Sequence, residues 1–140
     1  MKILRSFLIT LTVLLMAAAA YGQQTKVKAN VPFDFYAGDK VYPAGEYTLN
    51  SMSTNDAVVR IDGNPEVSSA YLASNACANA TPSTQTTLVF RRMGANYFLP
   101  KVWVAGNSQG REFPLTRTER LLVKNGTKAE TITVAANVTK

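Results

Sequence analysis

Apolar and polar residues alternate along nearly the whole of residues 25–36. Val27, Ala29, Val31, Phe33 and Phe35 fall on one side, and Lys26, Lys28, Asn30, Pro32 and Asp34 on the other. A period of two puts successive side chains on opposite faces of an extended chain, so the segment predicts a half-buried strand. Pro32 has no N–H to give to a ladder, which predicts a sheet edge or a bulge on its side of the strand. The alternation returns with Tyr47, Leu49 and Ser51 set against Glu46, Thr48 and Asn50. Shorter strands are predicted over 57–62 and 66–74, and the β-branched run 129–138 predicts a closing strand. Turn chemistry separates them at 37–40, at Pro43 with Gly45, at 53–56 and from Gly63 to Pro65. Residues 74–85 and 105–112 carry no apolar periodicity and read as polar loops.

The stretch LVFRRMGANYFLPKVW, Leu88 to Trp103, predicts a hairpin about Gly94-Ala95, a two-residue turn with glycine first. That register pairs Arg92 with Tyr97, Arg91 with Phe98, Phe90 with Leu99, Val89 with Pro100, Leu88 with Lys101, Thr87 with Val102 and Thr86 with Trp103. Both faces are mixed, so one arginine must point with whichever face is inside. The simpler reading lays both guanidiniums over Tyr97 and Phe98 at the hairpin tip, with their charge in water. The sharper one makes Arg91, Arg92, Tyr97 and Trp103 a ligand site, the inward arginine binding a carboxylate or phosphate and Trp103 forming the floor.

One segment departs from the strand pattern. In PLTRTERLLVKNG, Thr116 and Glu119 stand at capping-box spacing, and Asn125-Gly126 supplies a stop. A short amphipathic helix follows, with Leu115, Leu121 and Leu122 toward the body. Arg117, Arg120 and Lys124 form a basic stripe opposite, a candidate surface for anionic lipid or phosphate. About eight strands and one C-terminal helix, with turns every ~8 to 12 residues, predict an all-β fold. The expected architecture is a single antiparallel β-sandwich or a small β-barrel.

Composition adds location and excludes chemistries. Lys2 and Arg5 precede an apolar run from Phe7 to Ala20, followed by small residues around Ala20, Tyr21 and Gly22. This predicts a cleaved signal peptide over 1–22 and one secreted domain over 23–140, periplasmic or extracellular. The run is shorter than the ~20 residues needed to span a bilayer, so no transmembrane segment is expected after cleavage. Without Lys2 and Arg5 the domain has 13 basic and 9 acidic residues, a net charge of +4. That excess suits an anionic envelope surface but not nucleic acid, which wants a dense basic stripe.

Cys77 is the one cysteine, so no internal disulfide forms; it reads as a loop thiol, with an intermolecular disulfide as the alternative. There is no histidine, which removes Ser-His-Asp and Cys-His catalysis and histidine-bound zinc. No metal or cofactor is expected. Asp34, Asp39, Asp56 and Asp62 could pair as acid and base in an enzyme, but their placement suits turns and strand ends. The expected role is non-catalytic: binding or structural work in the envelope or outside the cell. The alternative is a carrier of a small apolar ligand in a barrel lined by Phe33, Phe35, Phe90, Tyr97 and Trp103.

Through VPFDF (Val31 to Phe35), PAGEY (Pro43 to Tyr47), the hairpin Leu88 to Trp103 and REFPLTRTER (Arg111 to Arg120), the chain resembles a family of small secreted proteins of acidobacterial type. The resemblance implies export and one β domain. It implies no activity, and it assigns no catalytic or binding residue.

Overall fold

The first alternating segment folds as β1 (Lys26–Val31), whose Val27, Ala29 and Val31 are buried while Lys26, Lys28 and Asn30 are exposed. The computed structural model describes residues 1–3, 6, 25–51, 57–63, 65 and 67–139. Apart from residues 1–3 and 6, the leader predicted over 1–22 lies outside these, as does the break at 53–56. No helix among the described residues is long and apolar enough to cross a membrane.

Pro32 ends β1 rather than marking an edge, since β1 lies inside the sheet between two partners. Beyond it come β2 (Phe35–Ala37) and β3 (Lys40–Tyr42), a tight hairpin whose turn needs the positive φ of Gly38. Next are β4 (Gly45–Ser51), β5 (Val58–Asp62), β6 (Ala70–Ala73) and β7 (Asn75–Ala78). The chain closes with β8 (Thr87–Met93), β9 (Asn96–Trp103), β10 (Gln109–Glu112), the helix α1 (Arg117–Lys124) and β11 (Ala129–Thr139).

These eleven strands make one curled, mixed sheet, a half-barrel: nine follow the order β3-β2-β9-β8-β11-β1-β4-β5-β6, and β10 and β7 branch from β9. The all-β class and the single C-terminal helix stand as expected, with two corrections. The strand count rises from eight because Pro32 splits the first strand and because β7 and β10 replace much of the two predicted polar loops. The sheet is also not wholly antiparallel, since β2 runs parallel to β9 at Tyr36 and Phe98.

Two features give the sheet its curl. The eleven-residue β11 pairs with β8 through Ala129–Ala135 and with β1 through Ala136–Thr139, so it belongs to both halves. On the far side only Ser74 separates β6 from β7, and β7 pairs with β10, which returns to β9. The hydrogen-bonded path therefore comes back on itself around a core that includes Val31, Phe35, Tyr42, Tyr47, Ile61, Leu88 and Phe90. The corner at Ser74 is pinned by Arg111, whose Nε and Nη2 donate to the serine hydroxyl at 3.1 and 2.9 Å and whose Nη2 also reaches its carbonyl at 3.1 Å.

The hairpin turns at Gly94-Ala95 as expected, and the pairs Arg92 with Tyr97 and Arg91 with Phe98 hold. Farther from the turn the register slips by one. Val89 meets Lys101, Leu88 meets Val102 and Thr87 meets Trp103, because Leu99 and Pro100 both oppose Phe90. A bulge at Pro100 is where a residue without an N–H costs the ladder least. It also explains the burial of Phe98, Leu99 and Pro100 in succession.

Candidate functional site

Beyond the bulge, the two halves of the sheet leave a cavity of about 120 Å³ between them. Val27, Leu49 and Val59 from β1, β4 and β5 form one wall, and Val102, Val104 and Phe113 around β9 and β10 the other. Thr25, Ser51, Asn107 and Gln109 supply polar lining, and Arg111 is the one charged residue among those that line it. Arg111 pairs across the ladder with Val102 and so shares its inward face. The arrangement suits a small apolar group, or one end of an apolar chain, beside a cation. Arg111 was missed because QGRE reads as a loop; its one signal is the period-two register that β10 inherits from Val102.

Of the four residues predicted as a ligand site, Arg92 and Tyr97 meet across the ladder, and Arg91 and Trp103 lie apart from them. Arg92 points with the core face but lies at its exposed rim, its guanidinium carbon 5.8 Å from the Tyr97 ring centre and an Nη 3.7 Å from Glu130. Arg91 points to the opposite, outer face and pairs with Glu119 of α1, whose side chain is 3 % exposed. Trp103 sits at the other end of the hairpin, paired with Thr87 and Gly110. A Cβ on Gly110 would stand 2.6 Å from the indole, so the ring covers that glycine closely.

Of the five aromatic residues named for a barrel carrier, Phe33, Phe35, Phe90 and Tyr97 pack on one another, and Trp103 lies apart from them. Phe33 stacks on Tyr97 at 3.9 Å and meets Phe90 edge-on at 5.0 Å, and Phe35 meets Phe90 at 5.4 Å. These rings fill their end of the core, and the cavity lies among valines instead.

The capping box forms as predicted: Glu119 N–H donates to Thr116 Oγ1 at 3.0 Å, and Glu119 Oε2 accepts from Thr116 N–H at 3.4 Å. The helix faces are otherwise corrected. Its buried side is carried by Thr116 and Glu119 with Leu122 partly covered, whereas Leu115, Leu121 and Val123 are exposed. Arg117, Arg120 and Lys124 are exposed as well, with Arg120 donating to Leu115 O and Arg117 N–H donating to Asp39 Oδ1.

Cys77 is also corrected: it is a partly buried strand residue of β7 opposite Gly110, not a loop thiol. Burial first, and then the Glu112 carboxylate, push its thiol above the usual range. Of the four aspartates, Asp34 accepts from Ala44 N–H, Asp39 caps α1, and Asp62 accepts from Arg60, Asn50 and Ser69. Asp56 lies outside the described residues. No group of three or more histidines, cysteines or carboxylates that could hold a metal occurs among the described residues. No protein-family model matches the chain, and no curated protein or solved structure is significantly similar to it.

Proposed function

We propose that the chain is exported and works without catalysis as a binding protein, taking a small apolar group into the cavity between β1, β4, β5 and β9, β10. The observation that carries this reading is the cavity itself: an apolar opening of about 120 Å³ beside the core, with one cation in its wall. Cavities for drug-sized ligands run ~300 to 1,000 Å³, so the ligand is small or enters by one end. Export is supported by the basic, apolar and small-residue succession of the first 22 residues. A non-catalytic role is supported by Asp34, Asp39, Asp62 and Glu119, each of which is engaged by backbone N–H groups or neighbouring side chains that hold the fold.

The test is thermal unfolding with octanoate and with octanol, an apolar chain with and without a charge. Octanoate should raise the midpoint more than octanol, because Arg111 lines the cavity. Val104→Phe, which plugs a half-buried wall position without entering the core, should abolish both shifts. No shift with either probe, or shifts unchanged by Val104→Phe, would refute the reading.

A further inference from the structure

The helix α1 is held the wrong way round for an ordinary amphipathic helix. Such a helix turns its apolar side inward and leaves its charges in water. Here the inward residue is Glu119, bonded to Arg91 across the gap to β8, while Leu121 and Val123 are 55 % and 54 % exposed and Leu115, just before the helix, is 41 % exposed. An ion pair does much of the anchoring that leucines would otherwise do; Leu122 is partly covered, and Leu115 and Leu121 are left facing out.

At 100° per residue, Arg120, Lys124, Arg117 and Leu121 fall in that order within about 100° of arc on the outward side. Val123 flanks this arc. The helix's one acid is turned inward and paired, so its own outward residues carry three cations and no carboxylate, with Asp39 beside its first turn as the one neighbouring acid shown bonded to it. Long basic side chains can lay their apolar stems along an interface while their charges reach the headgroups, so exposed apolar residues set among them can enter the acyl boundary of an anionic membrane.

We infer that α1 docks the protein on an anionic lipid surface, with Leu115, Leu121 and Val123 entering the interface and Arg117, Arg120 and Lys124 on lipid phosphates. A second copy of the chain is the weaker occupant, because a twofold contact through this face would set three cations against three. The docking face is separate from the cavity, and neither depends on the other.

The test is co-sedimentation with vesicles of phosphatidylglycerol mixed with phosphatidylcholine, and of phosphatidylcholine alone. It uses the protein as recovered from cells, with its N-terminus read by mass spectrometry. The protein should bind the anionic vesicles at low salt and release them at high salt. Arg117→Gln with Lys124→Gln should weaken that binding roughly thirtyfold, about fivefold for each charge near the surface. Leu121→Ser should weaken it about tenfold for the loss of one inserted side chain. Thermal melts would show that these exposed substitutions leave the fold intact, and Val104→Phe should leave vesicle binding unchanged.

Equal binding to both vesicle types would overturn the inference, as would wild-type affinity in the Arg117/Lys124 variant. So would a dimer in light scattering that Leu121→Ser converts to monomer, since a second copy would then own the face.

Discussion

Arg91 and Arg92 are neighbours in sequence, equal in charge, and each paired with a glutamate, yet their removal should have different consequences. Glu119 is 3 % exposed and Arg91 32 %, whereas Arg92 and Glu130 are 48 % and 71 % exposed at 3.7 Å. Arg91→Ala strands a buried carboxylate that retains, among the described residues, only its long contact to Thr116 N–H. Removing one member of a buried pair costs ~3 to 5 kcal/mol, and the partial exposure of Arg91 places this case at the low end, about 3 kcal/mol. Arg92→Ala removes an exposed, screened pair worth under ~1 kcal/mol.

At about 4 °C per kcal/mol for a domain of this size, the melting midpoint should drop ~12 °C for Arg91→Ala and less than ~4 °C for Arg92→Ala. Urea titration gives the same contrast as a shift in midpoint without a change in slope. Hydrogen exchange in α1 should accelerate in the first variant alone, because that pair clamps the helix to the sheet. The double variant Arg91→Met with Glu119→Gln keeps a capping amide and buries no charge, and should recover most of the loss. Equal costs for the two arginines would show that burial does not govern the strength of these pairs.

Two tyrosines and the cysteine carry the remaining predictions. Tyr42 is fully buried with a hydroxyl that has no hydrogen-bond partner among the described residues, so Tyr42→Phe should raise stability by about 1 kcal/mol. Tyr47 donates to Pro43 O, so Tyr47→Phe should lower it by about 1 kcal/mol; urea midpoints of like sign would contradict this. Burial first, then Tyr47, raise the Tyr42 hydroxyl above the ordinary tyrosine value. Its contribution is therefore fully present below pH ~10 and lost as the pH rises beyond that, and Tyr42→Phe should flatten the alkaline loss. Cys77, held above the usual thiol range, should react with iodoacetamide at mildly alkaline pH more slowly in the folded protein than in urea, and equal rates would exclude its shielding.

Period-two alternation made β1, β4 and β11 legible, because each is long enough to repeat its pattern and has one face on the core. The capping box and the Gly94 turn were legible for a different reason: both are closed within a few residues, and their chemistry is local. By contrast, β7 and β10 are four-residue polar strands, NACA and QGRE, stabilised by each other across thirty-odd positions of chain and carrying no alternation of their own. The slip in the hairpin turns on Pro100, and a bulge leaves the apolar pattern on either side intact.

The helix misled because leucines count as buried in any pattern argument, while the partner that draws Glu119 inward sits on another element. The cavity could not be read at all from the chain. Its walls join residues 27, 49 and 59 to 102, 104 and 113, and only the curl of the sheet puts those apolar side chains opposite each other.

The long strand β11 has a consequence for how the molecule comes into being. It is the last strand of the chain, it lies in the middle of the sheet, and its final residues pair with β1, the first. A ribosome delivering the polypeptide from its amino end leaves β1 and β8 each with a bare margin until Ala129–Thr139 has been made. Until that strand is made the sheet stays unfinished, however complete the strands before it are. Loss of Ala129–Thr139 would not trim the sheet at one border but would sever it through the centre.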